Sequence, residues 1–80
     1  MKANIFITLK NGVLDPQGEA AMGSLKHLGH EGINGLRIGK FIELDVDATT
    51  TEEAAKKAEA MCEALLANTV IESYRIEVAA

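Results

Sequence analysis

The sequence predicts an α+β domain: a small antiparallel sheet with two helices on one face. Three observations carry that expectation. Residues 3–10, 35–46 and 70–78 alternate apolar and polar side chains with a period of two, the signature of a strand with one buried face. Between them, two segments that open at Asp15-Pro16 and at Thr50 repeat at helical spacing. The chain has 80 residues, room for one domain spanning 1–80. A domain of that size buries only about 60% of its unfolded surface, so a partner chain would help it.

In the first strand Ile5, Ile7 and Leu9 point one way and Asn4, Phe6 and Thr8 the other. Asn11-Gly12 breaks the pattern. Asp15 is placed to cap the first helix, and Pro16 suits its first position, where the missing N–H is no loss. Ala21, Leu25 and Leu28 form one apolar stripe. Gly18 and Gly23 weaken that helix, and Gly29 ends it.

Residues 35–46 alternate on even numbers through Leu36, Ile38, Ile42, Leu44 and Val46, with Lys40 interrupting. A two-residue hairpin at Gly39-Lys40 would give the ferredoxin-like order β-α-β-β-α-β. The unbroken phase favours one long central strand bent at Gly39, and hence β-α-β-α-β. Such a strand overhangs a small sheet and invites a second copy.

Thr50-x-x-Glu53 is a capping-box pattern. Ala54, Ala58, Met61 and Leu65 form the stripe of the second helix, widened by Ala55, Cys62 and Leu66. Asn68 is the expected left-handed residue after it. In the last strand Val70, Tyr74, Ile76 and Val78 share a face. The outer sheet face then carries Phe6, Thr8, Arg37, Glu43, Asp45 and Arg75. That mixture suits a subunit contact.

Composition narrows function. Eight basic against twelve acidic residues leave a net charge of −4, which argues against nucleic acid as a partner. No apolar run reaches the roughly 20 residues needed to cross a bilayer. Met1-Lys2-Ala3-Asn4 has no signal-peptide shape, and one cysteine cannot staple the fold, so a cytoplasmic, reducing compartment is expected. His27 and His30 are three apart with no third ligand suggested, and read as surface histidines. Cys62 falls on the core stripe, where a thiolate is disfavoured. Asp45 and Asp47 share a strand face that could hold Mg²⁺, but read as a solvated strand end. No nucleophile–base set or phosphate loop can be assembled.

Two stretches carry more apolar residues than local structure needs: Gly12-Val13-Leu14-Asp15-Pro16-Gln17-Gly18 and Leu65 to Tyr74. Together with Arg37-x-Gly39-Lys40-x-Ile42-Glu43-Leu44 they resemble the PurS family, the small subunit of phosphoribosylformylglycinamidine (FGAM) synthase. The family's GVLDPQG and R-x-GK-x-IEL patterns are matched throughout. Its LLANPVIE pattern is matched except that Thr69 stands for proline; Ser73 stands for the acidic residue that follows.

The resemblance implies a subunit without catalytic residues or a bound cofactor. The synthase complex uses ATP, Mg and glutamine to convert formylglycinamide ribonucleotide to its amidine in purine synthesis. It implies a homodimer or higher homo-oligomer that joins PurQ, the glutaminase, to PurL, the ATP-dependent amidation subunit, and helps pass ammonia between them. The matched stretches supply a candidate partner interface: Val13, Leu14, Asp15, Arg37, Lys40, Asn68, Glu72 and Tyr74. The alternative is a ferredoxin-like regulatory domain that binds a small effector, such as an amino acid, at the loop from Gly12 to Gly18.

Overall fold

A computed structural model describes residues 1–79. The elements run β1 (Lys2–Leu9), α1 (Pro16–His27), β2 (Gly39–Asp45), α2 (Thr51–Met61), a π-helical turn (Cys62–Leu66) and β3 (Glu72–Ala79). The expected β-α-β-α-β order and antiparallel sheet are present, and no hairpin forms at Gly39-Lys40. β1 lies in the middle, antiparallel to β2 on one side and β3 on the other.

Register places Ile5 between Ile42 and Ile76, and Ala3 between Leu44 and Val78. These residues form the inner face that the alternation predicted. Ala3, Ile5 and Ile7 are sealed against Ala58, Cys62 and Ala67, with Ile42, Leu44, Leu66, Tyr74, Ile76 and Val78 packed around them. Burying an isoleucine side chain contributes roughly 1.5–3 kcal/mol, so Ile5 and Ile7 anchor the fold.

α2 is the helix that covers this face. Thr50 Oγ1 accepts from the Glu53 N–H at 3.1 Å. The Glu53 carboxylate reaches past the cap to Thr49, accepting its N–H at 3.2 Å and its hydroxyl at 3.0 Å. The buried series is Ala54, Ala58, Cys62 and then Ala67. The last step is five residues because the chain widens into a π turn, in which the Ala67 N–H donates to the Cys62 carbonyl at 3.0 Å. The turn rotates Leu65 outward, and Met61 and Leu65 are exposed rather than in the core stripe. Asn68 is not left-handed, since among the described residues only glycines have positive φ; Ala67 ends the turn in extended conformation.

α1 differs from expectation in its packing. It makes only slight contact with the sheet, and Gly18 is its one buried residue. Ala21 and Leu25 are half-buried and Leu28 is exposed. The helix itself is well terminated. Gly29, at φ +95°, donates to the Lys26 carbonyl while His30 donates to that of Leu25, closing a Schellman motif. The molecule is therefore elongated, 49 × 26 × 15 Å, with a radius of gyration of 15.8 Å. A compact chain of this length would have about 12 Å.

The strand expected over residues 35–46 is also shorter: β2 covers only Gly39–Asp45 and lies at an edge of the sheet. Its ladder begins at Gly39, opposite Thr8; residues 35–38 join no ladder, and the Ile38 N–H donates to Asp15 instead. Arg37 consequently lies off the outer sheet face. That face carries Phe6 stacked on Phe41 at 5.0 Å, with the Arg75 guanidinium 4.4 Å from the Phe6 ring centre.

Candidate partner interface

Half of the expected interface residues sit where the loop from Lys10 to Gly18 meets residues 35–38. The Val13 N–H donates to the Lys10 carbonyl at 3.1 Å, and Gly12 turns the chain at φ +86°. Asp15 then caps α1, its Oδ1 accepting from the Gly18 N–H at 2.9 Å. Its Oδ2 accepts from the Ile38 N–H at 3.0 Å. Those two N–H groups, Ile38 foremost, hold the Asp15 carboxyl below the usual carboxylate range; Arg37 nearby adds to the effect. Arg37 Nη1 donates to Asn11 Oδ1 at 3.1 Å. Val13 is half-buried, and Leu14 is 67% exposed.

Asn68, Glu72 and Tyr74 lie where the π turn enters β3, and Lys40 reaches toward them from β2. Asn68 organises that turn: its carbonyl accepts from the Ile71 and Glu72 N–H groups at 3.0 and 2.7 Å, and its Oδ1 from the Val70 N–H at 3.2 Å. Glu72 Oε1 accepts from the Asn68 N–H at 2.7 Å. The turn is thus closed by Asn68, with Thr69 in the place of a proline. Lys40 extends from the inner face of β2 to Glu72, 3.8 Å away across β1. Tyr74 donates its hydroxyl to Glu63 Oε1 at 3.2 Å, and burial raises its phenol above the ordinary value.

The two halves meet at a cleft of about 190 Å³ that brings Asp15, Lys40 and Glu72 together with Ile7, Leu9 and Ile38. Val13, Leu14 and Arg37 face a second, more open depression beside it. Asn68 and Tyr74 lie away from both. Cys62 is fully buried, and burial, more than Glu63 and Glu59 nearby, pushes its thiol up, the reverse of an activated nucleophile. Among the described residues no three His, Cys, Asp or Glu side chains gather as metal ligands, and no helix is long and apolar enough to cross a membrane.

The family model of PurS, described as phosphoribosylformylglycinamidine (FGAM) synthase, matches residues 2–80. The chain belongs to the PurS family. It is 46% identical over 76 residues to the PurS subunit of Synechocystis, an alignment covering 95% of this chain and 76% of that protein. The crystal structure of PurS from Methanocaldococcus jannaschii superposes with a TM-score of 0.88 at 36% identity, covering 98% of this chain and 94% of that one. A chain in the structure of PurLQS from Thermotoga maritima superposes with a TM-score of 0.87 at 34% identity, covering 95% and 93%.

The PurS-like motifs are now seen to include structural parts. In GVLDPQG, Gly12 turns the loop, Asp15 caps, and Gly18 leaves room for Asp15 and the Leu36 carbonyl. In R-x-GK, Arg37 ties back to Asn11 and Gly39 enters the sheet. The apolar excess of Leu65 to Tyr74 was legible in the sequence, but Met61 and Leu65 were expected in the core stripe and instead lie on one exposed surface. Met61, Leu65, Val70 and Ile71 are all exposed around the π turn, Leu65 at 83% and Val70 at 81%. The signal was the five-residue step from Cys62 to Ala67, which a 3.6-residue stripe reads as Leu65 turning inward; Leu66 does pack against the core as expected.

Proposed function

We propose that this chain is the PurS subunit of an FGAM synthase in purine biosynthesis, working in the cytoplasm as a homodimer or higher homo-oligomer. In this reading it contributes no catalytic group. It joins a glutaminase, PurQ, to an ATP-dependent amidation subunit, PurL, and assists ammonia transfer between them. ATP, Mg and glutamine serve the complex and are held by the larger subunits.

The observation that carries the reading is the near full-length correspondence with a chain of the T. maritima PurLQS structure. The shape of the molecule supports it. An elongated body with a helix barely attached to the sheet, and with exposed Leu14, Leu28, Leu65 and Val70, presents apolar surface that suits partner chains. We assign partner contact to the surface around Val13, Leu14, Asp15, Arg37, Lys40, Asn68, Glu72 and Tyr74. Leu14 is its most exposed apolar member.

Size-exclusion chromatography with the PurL and PurQ proteins of the same organism tests the proposal. The chain co-elutes with both, and Leu14→Asp folds normally but leaves the complex. Elution of the wild-type chain alone under every ligand condition would overturn it.

A further inference from the structure

Helix α1 has little to lean on, yet its first turn is held from two directions. Asp15 Oδ1 accepts from the Gly18 N–H inside the helix, and Oδ2 from the Ile38 N–H at the entry of β2. A second cross-link runs beside it, from Arg37 to Asn11. The space between is closed: a β-carbon on Gly18 would overlap the Asp15 carboxylate and stand 3.0 Å from the Leu36 carbonyl oxygen. These bonds tie the loop before α1 to the segment before β2.

We propose that Asp15 is the pin of a clamp that fixes the direction in which α1 leaves the sheet. A helix cap needs one acceptor, and Ser, Thr or Asn would supply it. Here two separate oxygens each receive an N–H from a different segment. A carboxylate can do that; an asparagine cannot, because its second terminal atom is itself a donor. Asp15 is thereby a positioning residue as well as a cap. The part it positions is the arm made of α1 and residues 28–38. Set in advance, that arm has less freedom to lose when its apolar side, Ala21, Met22, Leu25 and Leu28, meets another surface. The charged groups around the pin are Arg37, Glu19 on α1, Lys40 on β2 and Glu72 on β3. The clamp follows from this chain's own hydrogen bonds and stands apart from any role in a synthase.

The test compares wild type, Asp15→Asn and Asp15→Ala in the full chain by amide hydrogen exchange. Spin labels at Lys26→Cys and Glu77→Cys, diluted with unlabelled chain, read the arm's direction. In Asp15→Asn, either Gly18 or Ile38 exchanges about tenfold faster or more while the other and the β1 amides of Ile5 and Ile7 keep their rates. In Asp15→Ala both accelerate. The label-to-label distance is narrow in wild type and broad in Asp15→Asn. Unchanged rates at Gly18 and Ile38, an equally narrow distance, or loss of protection throughout β1 would each overturn the clamp.

Discussion

Gly39 lies so close against Ile7 that a β-carbon at position 39 would overlap the Ile7 carbonyl oxygen; it would also stand 2.9 Å from Thr8 Cγ2. The contact sits at the first rung of the β1–β2 ladder, where Thr8 pairs with Gly39. Gly39→Ala must therefore push β2 away from β1 or distort its first residues. A loss of about 1–3 kcal/mol is expected in urea denaturation. Unchanged stability would mean that the end of the ladder yields freely.

The glycines of α1 have opposite expected signs. A β-carbon on Gly23 meets nothing within 4 Å. Gly23→Ala should stabilise the chain by about 1 kcal/mol through helix propensity. Gly18→Ala gains the same propensity but collides with Asp15 and Leu36. It should lower the melting temperature despite alanine's preference for helix. Stabilisation by both would show that the first turn of α1 has room to shift.

Stability should fall at both ends of the pH scale. Asp15 is held below 3.8 by the Ile38 and Gly18 N–H groups, and Glu53 below 4.5 by the N–H and hydroxyl of Thr49. Both bind protons more readily when unfolded. Their contribution is present above those ordinary values and is lost as pH falls through the lower folded ones. Burial raises the Cys62 thiol above 9.0 and the Tyr74 phenol above 10.0. Their contribution is full below the ordinary values and is lost as pH rises through the folded ones. Melting temperature followed across pH checks this. Asp15→Asn and Glu53→Gln should each flatten the acid limb, and an acid limb unchanged from wild type in both variants would refute the assignment.

Cys62 should resist thiol reagents in the native protein and react fully in denaturant. Cys62→Ser puts a hydroxyl at a site with no exposure and should cost about 1–3 kcal/mol. Rapid labelling of the folded protein would place the thiol at the surface and contradict the core described above.

What the sequence disclosed was periodic. Ile5, Ile7, Ile42, Leu44, Ile76 and Val78 alternate, and alternation alone put them on the inner face. Thr50 and Asp15 announced their caps because a helix start needs an acceptor at that point. The departures arose where partners are remote in sequence. Ile38 finds its acceptor 23 residues back on Asp15, so residues 35–38 continue the alternation without joining a ladder. Leu28 completes an apolar stripe that the isolated chain does not bury, and a stripe says nothing about which surface it will meet. Of the candidate interface, the chemistry of Asp15, Lys40 and Glu72 was legible, but their meeting at one cleft was not.

Glutamine-dependent FGAM synthesis, reconstituted from PurL and PurQ of the same organism with and without this chain, tests the subunit reading most directly. The chain alone should be inactive. PurL with PurQ should use ammonia but use glutamine poorly, and adding the chain should restore glutamine-dependent activity in step with assembly. Full glutamine-dependent activity from PurL and PurQ without it would contradict the account.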